Sequence, residues 1–157
     1  MSIFQEDFAD RAAHVTGVPS CSGQRHLFAH RFEIPNQLEK EEPWVNIIKT
    51  RAEWQAFYDE LTTGLQGESN TLSEIDFEVF QLIVGGIGVR GQGGNSLQVT
   101  GIYEFDDGIS IYVLDASPGD HCSAITVIDY PMTAFLIRKT DKPIVFNVQS
   151  ARINCAQ

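Results

Sequence analysis

One stretch of the chain, residues 80–99, reads FQLIVGGIGVRGQGGNSLQV. It opens with an apolar run over residues 80–84, and six of the chain's 13 glycines then fall between Gly85 and Gly94. A second apolar run follows over residues 97–105. Glycine lets the backbone bend sharply or approach another surface closely, because it carries no side chain. The stretch therefore predicts two strands joined by a glycine-rich connection.

The glycines of this stretch also spell a dinucleotide-binding pattern. Residues 86–91 match G-x-G-x-x-G, and Asp106 and Asp107 lie near the distance at which a ribose-binding carboxylate belongs. The pattern works only where a helix begins inside it, since the pyrophosphate lies at the helix N-terminus. Apolar residues at alternate positions from Leu97 onward predict a strand instead. No Gly-Lys-Ser/Thr triplet follows the glycines, so the sequence predicts no nucleotide cofactor.

The composition predicts a single globular domain over residues 1–157. Hydrophobic residues make up 43% of the chain and charged residues 20%, which is typical of folded proteins. The net charge is -10 and Lys and Arg form no run, so we expect neither nucleic acid nor an anionic membrane as a partner. No apolar run is long enough to span a membrane, and residues 1–24 contain no apolar signal region.

The clearest helix is predicted over residues 51–63. Thr50 and Glu53 have the spacing of a capping box, and Gly64 is a natural stop. Its apolar residues follow at i, i+3, i+4 and i+7; they are Trp54, Phe57, Tyr58 and Leu61. We expect this face to pack on a sheet. A short amphipathic helix is predicted over residues 2–14, within an N-terminal extension that reaches residue 24.

Most of the remaining pattern is that of β-strands. The predicted strands cover residues 26–34, 45–49, 80–84, 97–105, 109–115, 132–139 and 144–148. Asp-Asp-Gly at residues 106–108 predicts a hairpin, because these residues accept positive φ. The last two strands are predicted to form a second pair. The predicted fold is α+β, an antiparallel β-sheet or half-open barrel of about seven strands with one main helix packed on it.

The three cysteines lie far apart in the sequence and lack metal-ligand spacing. A bridge between Cys122 and Cys155 is the favoured pairing, because it ties down the chain after the last predicted strand. The alternative is three reduced thiols, including Cys21, in a reducing compartment. His26 and His30 lie four residues apart, but nothing nearby completes a metal site, so we predict no bound metal.

Asp120, His121 and Cys122 are adjacent in the sequence, which superficially offers a base and a nucleophile. Neighbours in an extended segment point to opposite faces, so His121 and Cys122 do not naturally form a hydrogen bond. The sequence therefore predicts no catalytic residues and a protein that is not an enzyme.

Arg90 is a cation within the glycine tract of an acidic chain. Either it forms an ion pair with a nearby carboxylate, or it is presented at a recognition surface, where arginine is favoured. The second alternative makes a continuous stretch the candidate partner-binding segment, namely Arg90, Gly91, Gln92, Gly93, Gly94 and Asn95.

Several short signals occur in one order along residues 45–148. They are Trp54 at the start of the main helix, Ile75-Asp76-Phe77, Arg90 followed by Gly93-Gly94-x-Ser96-Leu97, and Tyr130-Pro131. With these signals the chain resembles the protease complex subunit PrcB family, although Gly91 and Asn95 replace a proline and a tyrosine that are usual there. The resemblance implies an exported or lipid-anchored accessory protein, periplasmic or secreted, that binds and stabilises a protease complex without catalytic residues of its own.

A fainter resemblance links the Gly-Gln-Gly-Gly of residues 91–94 to the loop of chagasin-type inhibitors of cysteine proteases. The sequence as a whole predicts a non-enzymatic protein-binding module. Its expected contact surface is the glycine loop with Arg90, together with neighbouring strand edges that can accept an added strand. The alternative is a small-ligand-binding or protease-inhibitor domain that presents the glycine-rich loop 85–94.

Overall fold

The computed structural model describes residues 25–27, 29–34, 37–63, 73–123 and 125–155. The described residues form one helix and eight strands, two of which have two residues each. In chain order they are β1 (Arg25–His26), β2 (His30–Arg31), β3 (Trp44–Ile48), α1 (Arg51–Thr62), β4 (Phe80–Gly86), β5 (Ser96–Phe105), β6 (Gly108–Pro118), β7 (Met132–Arg138) and β8 (Ile144–Ile153). The helix predicted over residues 2–14, Cys21 and Gly64 lie outside the described residues.

The strands form two sheets of four. The first sheet has the order β1-β5-β6-β8 and the second sheet has the order β2-β7-β4-β3. Neighbouring strands are antiparallel except for β6 and β8, which are parallel. The predicted α+β class, with one main helix on a largely antiparallel framework, is confirmed. The two sheets do not close into a barrel.

The helix forms where the capping box predicts it. Thr50 Oγ1 accepts a hydrogen bond of 3.1 Å from the Glu53 backbone N–H, which satisfies one of the donors left unpaired at a helix start. The four residues of the predicted apolar face are all buried. They pack on Leu82, Val84 and Ala134 of the second sheet. The helix thus covers the outer face of that sheet.

A second apolar cluster fills the space between the two sheets. Its buried members from both sheets are Ile83, Ile102, Ile109, Ile111, Val113, Phe135, Ile137 and Phe146. In β4, Ile83 belongs to this cluster while its neighbours Leu82 and Val84 face the helix. Because side chains alternate along a strand, a strand buried on both faces reads as a nearly continuous apolar run, as residues 80–84 do apart from Gln81.

The glycine-rich connection has the predicted shape. Residues 87–95, all of which are described, contain bends and one isolated bridge but no helix, and β5 begins at Ser96. The prediction that extended backbone follows Gly94 is therefore confirmed. Gly94 has a φ of 84°, and a Cβ there would lie 2.9 Å from Pro118 Cγ. The turn into β5 thus requires glycine at this position.

The predicted pairing of residues 132–139 with 144–148 is wrong. β7 lies in the second sheet and β8 in the first, where Ile144 is opposite Ile109. The connection between β7 and β8 crosses from one sheet to the other, and a backbone hydrogen bond holds it at each end. Lys139 N–H donates to Val79 O over 2.9 Å, and Ile109 N–H donates to Pro143 O over 2.8 Å. A tight turn between two strands does not reveal such a crossing.

The single strand predicted over residues 26–34 is also wrong. β1 pairs with β5 in the first sheet, whereas β2 pairs with β7 in the second. The segment therefore leaves one sheet and joins the other within a few residues. His26 and His30, which share a face in a continuous strand, consequently lie in different sheets.

Candidate functional site

The candidate partner-binding residues lie in the glycine loop, residues 87–95, which is held against the segment that precedes β7. The backbone N–H of Arg90 donates to Asp129 O over 2.8 Å, and that of Asp129 donates back to Arg90 O over 2.9 Å. Gly93 N–H donates to Ile125 O over 2.9 Å. These bonds make a short two-stranded ribbon that fixes the loop although it is rich in glycine.

Arg90 forms an ion pair with a carboxylate, which is one of the two alternatives predicted for it. Its Nη2 atom lies 2.6 Å from Asp115 Oδ2. The Asp115 side chain is 5% exposed, while that of Arg90 is 34% exposed. Asp115 follows Ile111 and Val113 at alternate positions of β6 and so faces the space between the sheets. Arg90 therefore neutralises a buried carboxylate, and about a third of its own side-chain surface stays exposed at the loop.

Arg90→Ala is expected to lower the free energy of unfolding by about 2–3 kcal/mol. Removing one partner of a buried pair leaves an uncompensated charge, and the value is set below the usual 3–5 kcal/mol because Arg90 is partly exposed. Urea unfolding measures the change. The matched control is the double variant Arg90→Met with Asp115→Leu, which we expect to recover most of the loss. A double variant less stable than the single one would contradict this role for the pair.

A groove of about 450 Å³ lies next to the loop and is lined by residues of β5 and β7. We call it the seam groove. Its lining residues come from β5, β7 and the segments beside them; they are Ala29, Arg31, Gln37, Asn95, Ser96, Leu97, Gln98, Val99, Asp129, Pro131, Met132, Thr133, Ala134 and Phe135. The crossing segment with β1 and β2 closes the seam at one end, since Leu27 N–H donates to Ile102 O and Phe32 N–H to Ala134 O.

The edge of β5 along the seam groove is open. On the side away from β6, the described residues pair with β5 only at Ile102, Tyr103 and Glu104. Ser96, Leu97, Gln98 and Val99 therefore have no strand beside them on that side, as far as the described residues go. An open edge presents backbone N–H and C=O groups on which another chain can pair. The groove combines such an edge with the apolar side chains of Leu97, Val99 and Phe135.

A polar cluster lies at the end of the groove nearest the loop. The carboxylate of Asp129 accepts hydrogen bonds from Gln37 Nε2 and Asn95 Nδ2, each over 3.1 Å. Asn95 Nδ2 also donates to Gln92 O, while its buried Oδ1 accepts no hydrogen bond. Gln37 and Asn95 thus fix the position of the carboxylate. Sequence reasoning included Asn95 but missed Gln37 and Asp129, because 92 residues separate these two partners along the chain.

An exposed apolar segment, residues 125–128, is hydrogen-bonded to the loop through Gly93 N–H and Ile125 O. Ile125 is 74% exposed, Ile128 72% and Val127 44%, and Val89 on the loop is 43% exposed. Scattered exposed aliphatic residues are ordinary, but a cluster beside a fixed loop is typical of an interaction surface. The signal was present in the sequence as Ile-Thr-Val-Ile at residues 125–128, a strand-like run with no assigned strand.

Cys122 and Cys155 form a disulfide, with their Cα atoms 5.1 Å apart. This is the pairing that the sequence favours. Cys122 consequently offers no thiol nucleophile beside His121. Across the described ranges, no three His, Cys, Asp or Glu side chains come together in a way that could hold a metal ion. In the same ranges no helix has both the length and the apolar character needed to cross a bilayer.

Comparisons with known proteins give no relative. The chain matches no family model, and no match was found among curated proteins or solved structures.

Proposed function

We propose that this chain is a non-enzymatic protein-binding module that holds an extended segment of its partner in the seam groove. The observation that carries the proposal is the open edge of β5 over residues 96–99, which faces a groove with apolar walls. Strand addition to such an edge is a common mode of peptide recognition, in which backbone hydrogen bonds give affinity and side-chain contacts give specificity.

The open edge of β5 over residues 96–99 suits a short segment. Four residues of extended chain span about 13 Å at 3.3 Å per residue. The edge of β7 flanks the same groove, and Phe32 N–H occupies Ala134 O there. A bound segment would therefore pair mainly with β5 and pack its side chains on Leu97, Val99 and Met132.

The glycine loop and the exposed segment extend this surface. Gly91 is exposed, and an added Cβ would have no atom within 4 Å. A partner can therefore approach the backbone of the loop closely. Val89, Ile125 and Ile128 add exposed apolar area beside it, of the kind that forms the centre of protein interfaces.

The resemblance to the PrcB family suggests which partner to seek. In that family the partner is a protease complex outside the cytoplasm, and we propose the same class of partner and the same location here. The bond between Cys122 and Cys155 supports this location, since disulfides persist in oxidising compartments.

A small-ligand-binding domain is the second candidate. The volume of about 450 Å³ falls in the range of about 300–1,000 Å³ that is usual for ligand pockets. The strand edge favours a peptide over a compact ligand, because a compact ligand cannot satisfy a row of backbone groups. A protease inhibitor that presents the same loop would be revealed by inhibition of papain.

Affinity capture from an extract of the source organism tests the proposal. We expect Gly91→Arg to reduce the amount of captured partner at least about tenfold, because a long charged side chain would stand in the contact surface. The fold should tolerate this change, since the position is open. The matched control is Gln149→Arg on the exposed part of β8, which should capture as much as the wild type.

Two results would argue against the proposal. Equal capture by wild type and Gly91→Arg would remove the loop from the contact surface. Capture of a partner unrelated to proteases would leave a binding module but exclude the accessory role that the family resemblance implies.

A further inference from the structure

We infer that the seam groove selects an extended peptide with a Lys or Arg side chain, which Asp129 binds at the end nearest the glycine loop. The inference rests on the proposed function, since it names the chemistry of the segment that the groove would hold. It is carried by the surroundings of one carboxylate.

The charge of Asp129 is held in place but not compensated. Its two oxygens accept hydrogen bonds from the neutral amides of Gln37 and Asn95. Within the described part of the chain, no Lys, Arg or His side chain lies within ion-pairing distance of it. Asp129 is half-buried and lines the groove. A fixed carboxylate of this kind prefers a cationic donor, because hydrogen bonds between charged groups are the stronger ones.

The other charged groups around the groove agree with this assignment. Arg31 lines the groove but is ion paired with Glu33 over 3.3 Å, and both of these side chains are largely exposed. Arg90, within the loop, is paired with Asp115. The uncompensated charge in the groove is therefore negative. The net charge of -10 would also attract a basic segment and speed its association.

The geometry places this carboxylate at the end of the open edge. Asn95, which donates to Asp129, immediately precedes Ser96, the first residue of β5. A peptide paired along residues 96–99 would thus bring a side chain near its end beside Asp129. A metal ion is a poorer occupant, because within the described residues Asp129 belongs to no group of three or more His, Cys, Asp or Glu side chains that could hold one.

Selection from a library of random eight-residue peptides displayed on phage, with the full chain immobilised, tests the inference. We expect the selected peptides to share one Lys or Arg among β-branched or aromatic residues. A fluorescein-labelled copy of a selected peptide should bind Asp129→Asn at least about tenfold more weakly in anisotropy titrations, since a charge-assisted hydrogen bond is lost. The matched control, Asp106→Asn at the exposed hairpin turn, changes the net charge equally and should bind like the wild type.

Two further measurements distinguish the effect of the Asp129 charge on binding from the effects of blocking the groove and of misfolding. Replacing the cationic residue of the peptide by citrulline or norleucine should weaken binding to the wild type by a similar factor, with no change in the protein. Ala29→Trp, at an exposed position that lines the groove, should block binding of every selected peptide, whereas Gln149→Trp should not.

The outcomes distinguish the preference for a cationic side chain from the peptide-binding role of the seam groove. Peptides blocked by Ala29→Trp but indifferent to Asp129→Asn and to citrulline would overturn the cationic preference and leave the proposed groove intact. An empty selection, or binding that Ala29→Trp does not affect, would overturn both the inference and the role of the seam groove in the proposed function.

Discussion

Trp54→Ala is expected to lower the free energy of unfolding by about 3–5 kcal/mol, as is usual when a fully buried large aromatic is truncated. The side chain is 1% exposed. Its ring meets those of Phe32, Phe57 and Tyr58 at centroid distances of 5.5, 6.1 and 5.7 Å. The contact with Phe32 joins the helix to the segment that follows β2, so truncation of Trp54 leaves a cavity between them.

Equilibrium unfolding in urea, followed by circular dichroism, measures this loss. Trp54→Phe should cost less, about 1–2 kcal/mol, because it keeps an aromatic ring in the core. The remaining cost comes from the loss of the 3.0 Å hydrogen bond from Nε1 to Ser73 O. Gln55→Ala, on the exposed side of the same helix, is the matched control and should change stability by less than about 0.5 kcal/mol. A loss below about 1 kcal/mol for Trp54→Ala would show that the helix does not depend on this contact.

Removing the disulfide should have the second large effect. The bond closes a loop of 33 residues between Cys122 and Cys155, and the entropy of an open loop of that length corresponds to about 3–4 kcal/mol. We expect the Cys122→Ser, Cys155→Ser double variant to have a free energy of unfolding lower than that of the wild type by this amount. Its unfolding temperature should fall accordingly.

Thermal unfolding with and without reductant provides the check. The wild type should lose stability in the reductant and the double variant should not respond to it. Cys21→Ser is the control, and it should keep the sensitivity of the wild type. Equal midpoints for oxidised and reduced wild type would mean that the bridge contributes nothing to stability.

Apart from the bridge between Cys122 and Cys155, the features predicted correctly from the sequence are local ones. The capping interaction between Thr50 and Glu53 spans three residues, and the hairpin of β5 and β6 turns within two. In both cases the residues that determine the conformation are close in the sequence, so periodicity and turn chemistry suffice to find them.

The features that were missed depend on distant residues. The path of the chain after Arg138 depends on which sheet receives β8, and the parallel pairing with β6 places β8 in the first sheet. In the sequence, a tight connection between two apolar runs looks the same whether the two strands pair with each other or belong to different sheets. The division of residues 26–34 between the two sheets is decided in the same way, by the separate edges of β5 and β7.

The candidate site shows the same division. The glycine loop is visible in the sequence because glycine is itself the signal. The partner of Arg90 lies 25 residues away in the chain, and Asn95 and Asp129 are 34 residues apart. Among the 21 acidic residues of this chain, periodicity offers no means of deciding which one faces a given side chain.

The parallel pairing of β6 with β8 has a consequence for how the protein forms. Between these two strands the chain forms β7, which belongs to the second sheet. The first sheet is therefore completed by a strand that follows part of the second sheet in the sequence. Contacts of such long sequence separation slow folding, because loop closure precedes the gain from pairing. We therefore expect neither sheet to persist without the other, and the native state to assemble and open as one cooperative unit.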